Sequence, residues 1–270
     1  MYQWNEPENI QVLNDDEKHK EFYLVEDGLR IHSKLDFPEE TADKYPLVII
    51  IHGYTGHMEE AHITAVARAA TESGFAALRV ELYGHGGSDG LFKNHTLYKW
   101  VTQALAVVDY ARGLDFVTDV ILCGHSQGGL TVILTAAMKR DVLKALIPLS
   151  PANMIPEYAR QGNVLHAQFD PENIPDTLTV LRQGEPAEMD GNYIRVAQSI
   201  HVEEAIRQYK GPVLIVHGDE DEAVPVEYGI DAAKSYANAK LVLIPGDTHC
   251  YNLHLDQMTE AVKEFLAQFR

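Results

Sequence analysis

With 270 residues, 46% of them hydrophobic, the chain can bury a sizeable core, and its composition excludes disordered, fibrous and collagen-like proteins. Its 22 basic and 40 acidic residues give a formal charge of −18, which argues against nucleic acid and anionic membranes as partners, since both are held by clustered Lys and Arg. Two cysteines, Cys123 and Cys250, form neither a disulfide framework nor a CxxC zinc pattern.

The opening MYQWNEPENI has no basic n-region and no apolar h-region, and the nearby apolar run is too short to span a bilayer. A cytoplasmic, reduced protein is the expectation. EFYLVEDG followed by LRIHSKLDF reads as a β-hairpin turning at Asp27-Gly28. PLVIII, from Pro46, is a continuous apolar run suited to a strand buried on both faces. Residues 59–73 read as a helix, FAALRVEL as a strand and residues 96–111 as a helix ending near Gly113. A strand at 119–123 runs into Gly124, a helix covers 129–138, and ALIPLS is the next strand.

From 151 to 200 the pattern breaks, with Pro156, Pro171, Pro175 and Pro186 and little periodicity. Long irregular stretches in compact domains tend to be lids or linkers. The alternation then resumes with GPVLIVHG, a helix at 226–236, KLVLIP and a helix at 255–269. Strands alternating with helices imply a mostly parallel sheet with helices on both faces, edged here by an antiparallel hairpin. The expectation is one α/β domain over 1–270, with a cap at 151–200 inserted after the sixth predicted strand.

Gly124-His125-Ser126-Gln127-Gly128 is G-x-S-x-G, placed after a strand and opening a helix, the setting of a nucleophile elbow. A serine hydroxyl is a poor nucleophile at neutral pH and needs a turn that exposes it to a base. His52-Gly53-Tyr54-Thr55-Gly56 follows the PLVIII strand, where the other half of an oxyanion hole belongs; the donors would be the backbone N–H groups of Tyr54 and Gln127. Gly218-Asp219-Glu220-Asp221-Glu222 and Gly246-Asp247-Thr248-His249 end the last two strands. Catalytic groups of parallel sheets gather at strand carboxyl ends. The order Ser126, Asp221, His249 suits nucleophile, supporting acid and general base. Asp221 is preferred because G-x-x-D-x-x-V-P is the spacing common in hydrolases with such an elbow; Asp219 is the runner-up, with Glu220 and Glu222 behind it.

Other strings point elsewhere. His57-Met58-Glu59-Glu60-Ala61-His62 looks metal-like, but its histidines are five apart rather than four, so it reads as a solvated helix start. Gly84-His85-Gly86-Gly87-Ser88-Asp89-Gly90 misses dinucleotide spacing and reads as a loop at the site's rim. Cys123 and Cys250 read as small buried hydrophobes.

HGYTGHMEEAH, ELYGHGGSDG, GHSQGG, FDPENIPD, GNYIRVAQ, HGDEDEAVP and IPGDTHCY together resemble the bacterial cinnamoyl and feruloyl esterases of the α/β-hydrolase superfamily. The likeness runs from about Tyr23 to Phe265, with the first twenty residues outside it. It implies the α/β-hydrolase fold and hydrolysis of ferulic, caffeic or p-coumaric esters, the acyl ring lying beneath the cap. Family members often carry Phe at the position of Tyr54. The cap should offer a polar contact to the phenolic hydroxyl, with Tyr193 first, then His166 and Gln168. The expected partner is a small aromatic ester, with no cofactor, metal, nucleic acid or membrane; a homo-oligomer is compatible with the sequence. The alternatives are a short-acyl esterase or thioesterase, a lipase or an aminopeptidase with the same triad, and a non-enzymatic member of the fold.

Overall fold

The structure is a computed structural model that describes residues 10–270. The chain enters its main sheet through β1 (Ile10–Asp15), β2 (His19–Glu26) and β3 (Leu29–Asp36). Asp27 and Gly28 join β2 to β3 at φ of 49° and 74°. Two successive positive φ values give the hairpin turn whose twist matches that of its strands. There follow β4 (Tyr45–Ile51), α1 (Ala61–Glu72), β5 (Ala76–Val80), α2 (Leu97–Arg112), β6 (Val117–His125), α3 (Gln127–Met138) and β7 (Leu143–Leu149). Then come α4 (Ile155–Arg160), the pair β8 (Asn163–Val164) and β9 (Ala167–Gln168), the pair β10 (Thr177–Arg182) and β11 (Glu185–Asp190), and α5 (Asn192–Gln198). The chain closes through α6 (Val202–Gln208), β12 (Val213–Gly218), α7 (Val226–Ser235), β13 (Ala239–Ile244) and α8 (Leu255–Leu266).

Nine strands form one sheet in the order β1-β2-β3-β5-β4-β6-β7-β12-β13. The first three run antiparallel to their neighbours, and from β5 to β13 all pairs are parallel. The PLVIII run shows why. Leu47, Ile49 and Ile51 pack on one face with Trp100, Val107, Val132 and Ile206, while Val48 and Ile50 pack on the other with Ile63, Val66, Met258 and Val262. Thus α2, α3 and α6 cover one face and α1 and α8 the other. A strand buried twice must be apolar at every position.

One expectation needs correction, and one segment beyond the family likeness is ordered: residues 10–15 form β1, which pairs with β2. It is an edge strand whose side chains are mostly exposed, so it carries no apolar alternation. The opening string through Glu8 and Asn9 lies outside the described residues. The correction concerns the segment 151–200, which is not irregular. Its elements are two to seven residues long, too short for periodicity to register. Both of its hairpins turn on consecutive positive-φ residues, Leu165-His166 and Gln183-Gly184.

Candidate active site

Ser126 stands between β6 and α3 with φ 57° and ψ −120°. This region is costly for a residue with a Cβ and persists only where the surroundings enforce it. The Ser126 N–H donates to Leu149 O at 2.9 Å, and Ser126 O accepts from Leu130 and Ala152 N–H. Glycine is required on both sides: a Cβ on Gly124 would stand 2.4 Å from Gly128 O, and one on Gly128 would stand 2.3 Å from His52 O. The strand pairing brings the second loop alongside, since Ile51 of β4 is paired with Gly124 of β6. A Cβ on Gly53 would lie 3.2 Å from Ser126 Cβ. The loops bearing Tyr54 and Gln127 therefore meet at Ser126. Gln127 opens α3, so its N–H has no partner inside the helix.

The loops after β12 and β13 bring the candidate acid and base together in the same way. His249 Nδ1 donates to Asp221 Oδ2 at 2.7 Å. Asp221 Oδ1 accepts from the N–H groups of Ala223 and Val224, and its side chain is fully buried. His217 Nε2 approaches Asp221 Oδ2 at 3.1 Å. Burial alone would raise the Asp221 pKa, but hydrogen bonds from His217 and His249 hold its carboxyl well below the usual carboxylate range. The rival acids are engaged elsewhere. Asp219 Oδ1 accepts from Gly246 N–H at 2.6 Å, Glu222 Oε2 accepts from His249 N–H at 3.4 Å, and Glu220 is exposed.

Ser126 and His249 line one cavity of about 480 Å³ with Tyr54, Met154, Tyr158, Leu165, His166, Leu181, Val224 and Cys250. That volume lies within the range of small-molecule sites. A larger open groove, about 1290 Å³, lies at the opposite ends of the strands, lined by Asp36, Arg79, Asp119 and Lys144 among others. The strand carboxyl ends carry the His249–Asp221 pair, so the smaller cavity is the candidate site.

Of the three cap residues singled out by sequence, only His166 lines this cavity. Tyr193 is fully buried, and its hydroxyl donates to Gln127 Oε1 at 2.7 Å; it braces the elbow rather than facing the cavity. Gln168 is exposed on β9 and does not line the cavity. The Gly84–Gly90 loop is not a rim either. It wraps the Glu81 carboxylate, which accepts from Gly87 N–H, while its His85 Nε2 meets Tyr54 O. His62 is buried rather than solvated, and Cys250 is half-buried on the cavity wall. Sequence reasoning missed His217, Tyr158 and Leu181. His217 was visible only as a strand-end histidine, and the other two carry no local signal.

A family model described as "Serine aminopeptidase, S33" (Hydrolase_4) matches residues 42–194. Est1E from Butyrivibrio proteoclasticus, solved with ferulic acid bound, is 58% identical with a TM-score of 0.89 over 91% of this chain and 98% of that one. Protein ABHD12B of Homo sapiens is 28% identical over 241 residues, 84% of this chain and 62% of that protein. A putative esterase/lipase of Haemophilus influenzae is 24% identical over 246 residues, 82% of this chain and 83% of that protein. The chain spans only about three fifths of the first curated relatives it matches, 62% of ABHD12B and 59% of human ABHD10. The chain belongs to the Hydrolase_4 family of the α/β-hydrolase superfamily and is similar over most of its length to Est1E.

Proposed function

We propose that the protein releases hydroxycinnamic acids from their esters through Ser126, His249 and Asp221. The observation that carries the substrate class is the 58% identity to Est1E, which binds ferulic acid. Ser126 Oγ attacks the ester carbonyl carbon while His249 Nε2 accepts the hydroxyl proton. The carbonyl oxygen becomes an oxyanion against the N–H groups of Tyr54 and Gln127. Collapse breaks the carbon–oxygen bond, and His249 returns the proton to the departing alcohol. Water then attacks the acyl-serine, giving its proton to His249, and the acid leaves as Ser126 is reprotonated. Asp221 keeps His249 Nδ1 protonated, so that Nε2 is the basic nitrogen, and stabilises the imidazolium.

Residues 151–200 form the cap in this reading. Met154, Ile155, Tyr158, Leu165 and Leu181 supply a largely apolar wall, with Asn163 and His166 as polar side chains beside it, which suits a planar aromatic acyl group. His166 is the cap group placed to meet a ring hydroxyl. A cytoplasmic setting belongs to the same proposal; Cys123 and Cys250 are both free thiols. No helix among the described residues is long and apolar enough to cross a membrane.

The test compares methyl ferulate with p-nitrophenyl butyrate, using wild type and Ser126→Ala. Efficient cleavage of ferulate by wild type, with the variant inactive on both, supports the whole reading. Cleavage of butyrate alone keeps the triad and removes the hydroxycinnamate substrate.

A further inference from the structure

His62 from α1, His125 from β6 and Cys250 from the loop after β13 converge beside His249. His62 Nε2 stands 3.0 Å from His125 Nδ1, and one ring nitrogen of each histidine and Cys250 Sγ all lie within 4.8 Å of one another. His125 and Cys250 line the cavity that holds Ser126, which gives the cluster a route to solvent. Glu60 lines that cavity too, with Oε2 3.9 Å from His62 Nε2. The far nitrogen of His125 is already committed: Nε2 donates to His249 O at 2.8 Å. Nδ1 of His125 therefore carries the lone pair, and it points into the cluster. A backbone carbonyl holding the distal N–H is the usual support of a histidine ligand.

We propose that His62 Nε2, His125 Nδ1 and Cys250 Sγ form a site for a zinc-class divalent cation, whose binding inhibits the esterase. Two imidazoles and a thiolate are a donor set that such ions prefer, and Glu60 or water would complete a tetrahedron. Zinc takes nitrogen at about 2.0–2.1 Å and thiolate at about 2.3 Å, so ligand atoms sit about 3.3–3.6 Å apart. The histidine pair is close to that spacing, and the half-buried thiol closes the remainder by about 1 Å. On binding, Cys250 loses its thiol proton to solvent, and His62 shifts its own proton from Nε2 to Nδ1. The metal-like string at 57–62 thus contributes only one of its two histidines, and the partners His125 and Cys250 come from elsewhere in the fold.

Inhibition follows from position. The rings of His125 and His249 have centroids 4.6 Å apart, and Cys250 adjoins His249 in the chain. His125 and Cys250 line the same cavity as Ser126 and His249, so an ion held between them obstructs the approach of the ester to Ser126. The inhibition rests on that cavity being the active site; the binding does not.

The experiment is a Cd²⁺ titration of wild type, Cys250→Ser and His62→Gln, paired with Zn²⁺ inhibition of p-nitrophenyl butyrate hydrolysis. Glutamine at 62 can still donate to His125 Nδ1, so that variant keeps the brace and loses the ligand. Wild type should show a thiolate-to-cadmium ultraviolet band saturating at a single ion and a chelator-reversible loss of activity. Cys250→Ser should lose the band, and both variants should weaken metal affinity and inhibition by about 10-fold or more. No saturable band in wild type, or equal affinity in His62→Gln, overturns the site. A band without inhibition overturns the regulatory role.

Discussion

The hydroxyl of Tyr193 donates to the side-chain carbonyl of Gln127 at 2.7 Å, joining α5 to the first residue of α3. Tyr193 also packs against His95 and Tyr54, with ring centroids 5.1 and 6.3 Å apart. The segment 151–200 is therefore anchored to both loops that meet at Ser126. Tyr193→Phe leaves Gln127 Oε1 buried and unpartnered, which costs about 1–3 kcal/mol. Its melting temperature should fall and its kcat drop modestly. The ratio of ferulate to unsubstituted cinnamate cleavage should stay at the wild-type value; a selective loss on ferulate would put the Tyr193 hydroxyl back in contact with the substrate.

Asp221→Asn should lower kcat by about 10⁴-fold, because an amide favours the wrong tautomer of the base. Asp219→Asn should keep activity within about tenfold of wild type, since Asp219 serves the Gly246 turn and not His249. Steady-state kinetics on either ester decides between the two acids, and the opposite ranking would move the supporting role to Asp219.

Gly128→Ala places a Cβ 2.3 Å from His52 O. Backbone on both sides leaves no side chain to rotate away. The variant should lose about 1–3 kcal/mol or more, and its activity should fall further than its stability because the loops around Ser126 are forced apart. Thermal melting and reaction with a fluorophosphonate read the two effects separately. Wild-type labelling would mean the elbow tolerates the change.

Acid should destabilise the protein well before its carboxylates protonate. Burial pushes the pKa of His52 and His95 down to about 3 and that of His62 down to about 4. Unfolded, each titrates at about 6.5. Between pH 6.5 and 4 the unfolded chain binds more protons, so stability falls as pH falls. His32 acts in the other direction. Burial lowers its pKa, but hydrogen bonds to Glu81 and Glu21 raise it above the ordinary value, so its contribution is full at low pH and lost as pH rises. The melting temperature should decline from pH 6.5 to pH 4, and His95→Asn, which can still donate to Phe92 O, should flatten the slope. A melting temperature constant down to pH 5 would contradict this.

Much of the candidate site was legible because its signals are local. An elbow needs glycines at fixed offsets around Ser126, and a doubly buried strand needs an unbroken apolar run such as 46–51. Those two patterns located Ser126, Tyr54 and Gln127 and the central strand that leads into the Tyr54 loop. Asp221 needed more, since four acids share its loop. Burial and the 2.7 Å contact with His249 single it out, and neither can be read from spacing.

The sequence by itself determined the alternation of strands and helices and the loops that bear Ser126, Asp221 and His249, because periodicity and turn chemistry act over a few residues. Only the tertiary structure decided that Tyr193 braces Gln127 instead of facing substrate, that His85 holds Tyr54, and that His62 meets His125 and Cys250 and not His57. The physical reason is sequence separation. Where a side chain's hydrogen bond goes depends on which element packs against it, and those partners lie 66 residues away for Tyr193 and 63 for His62.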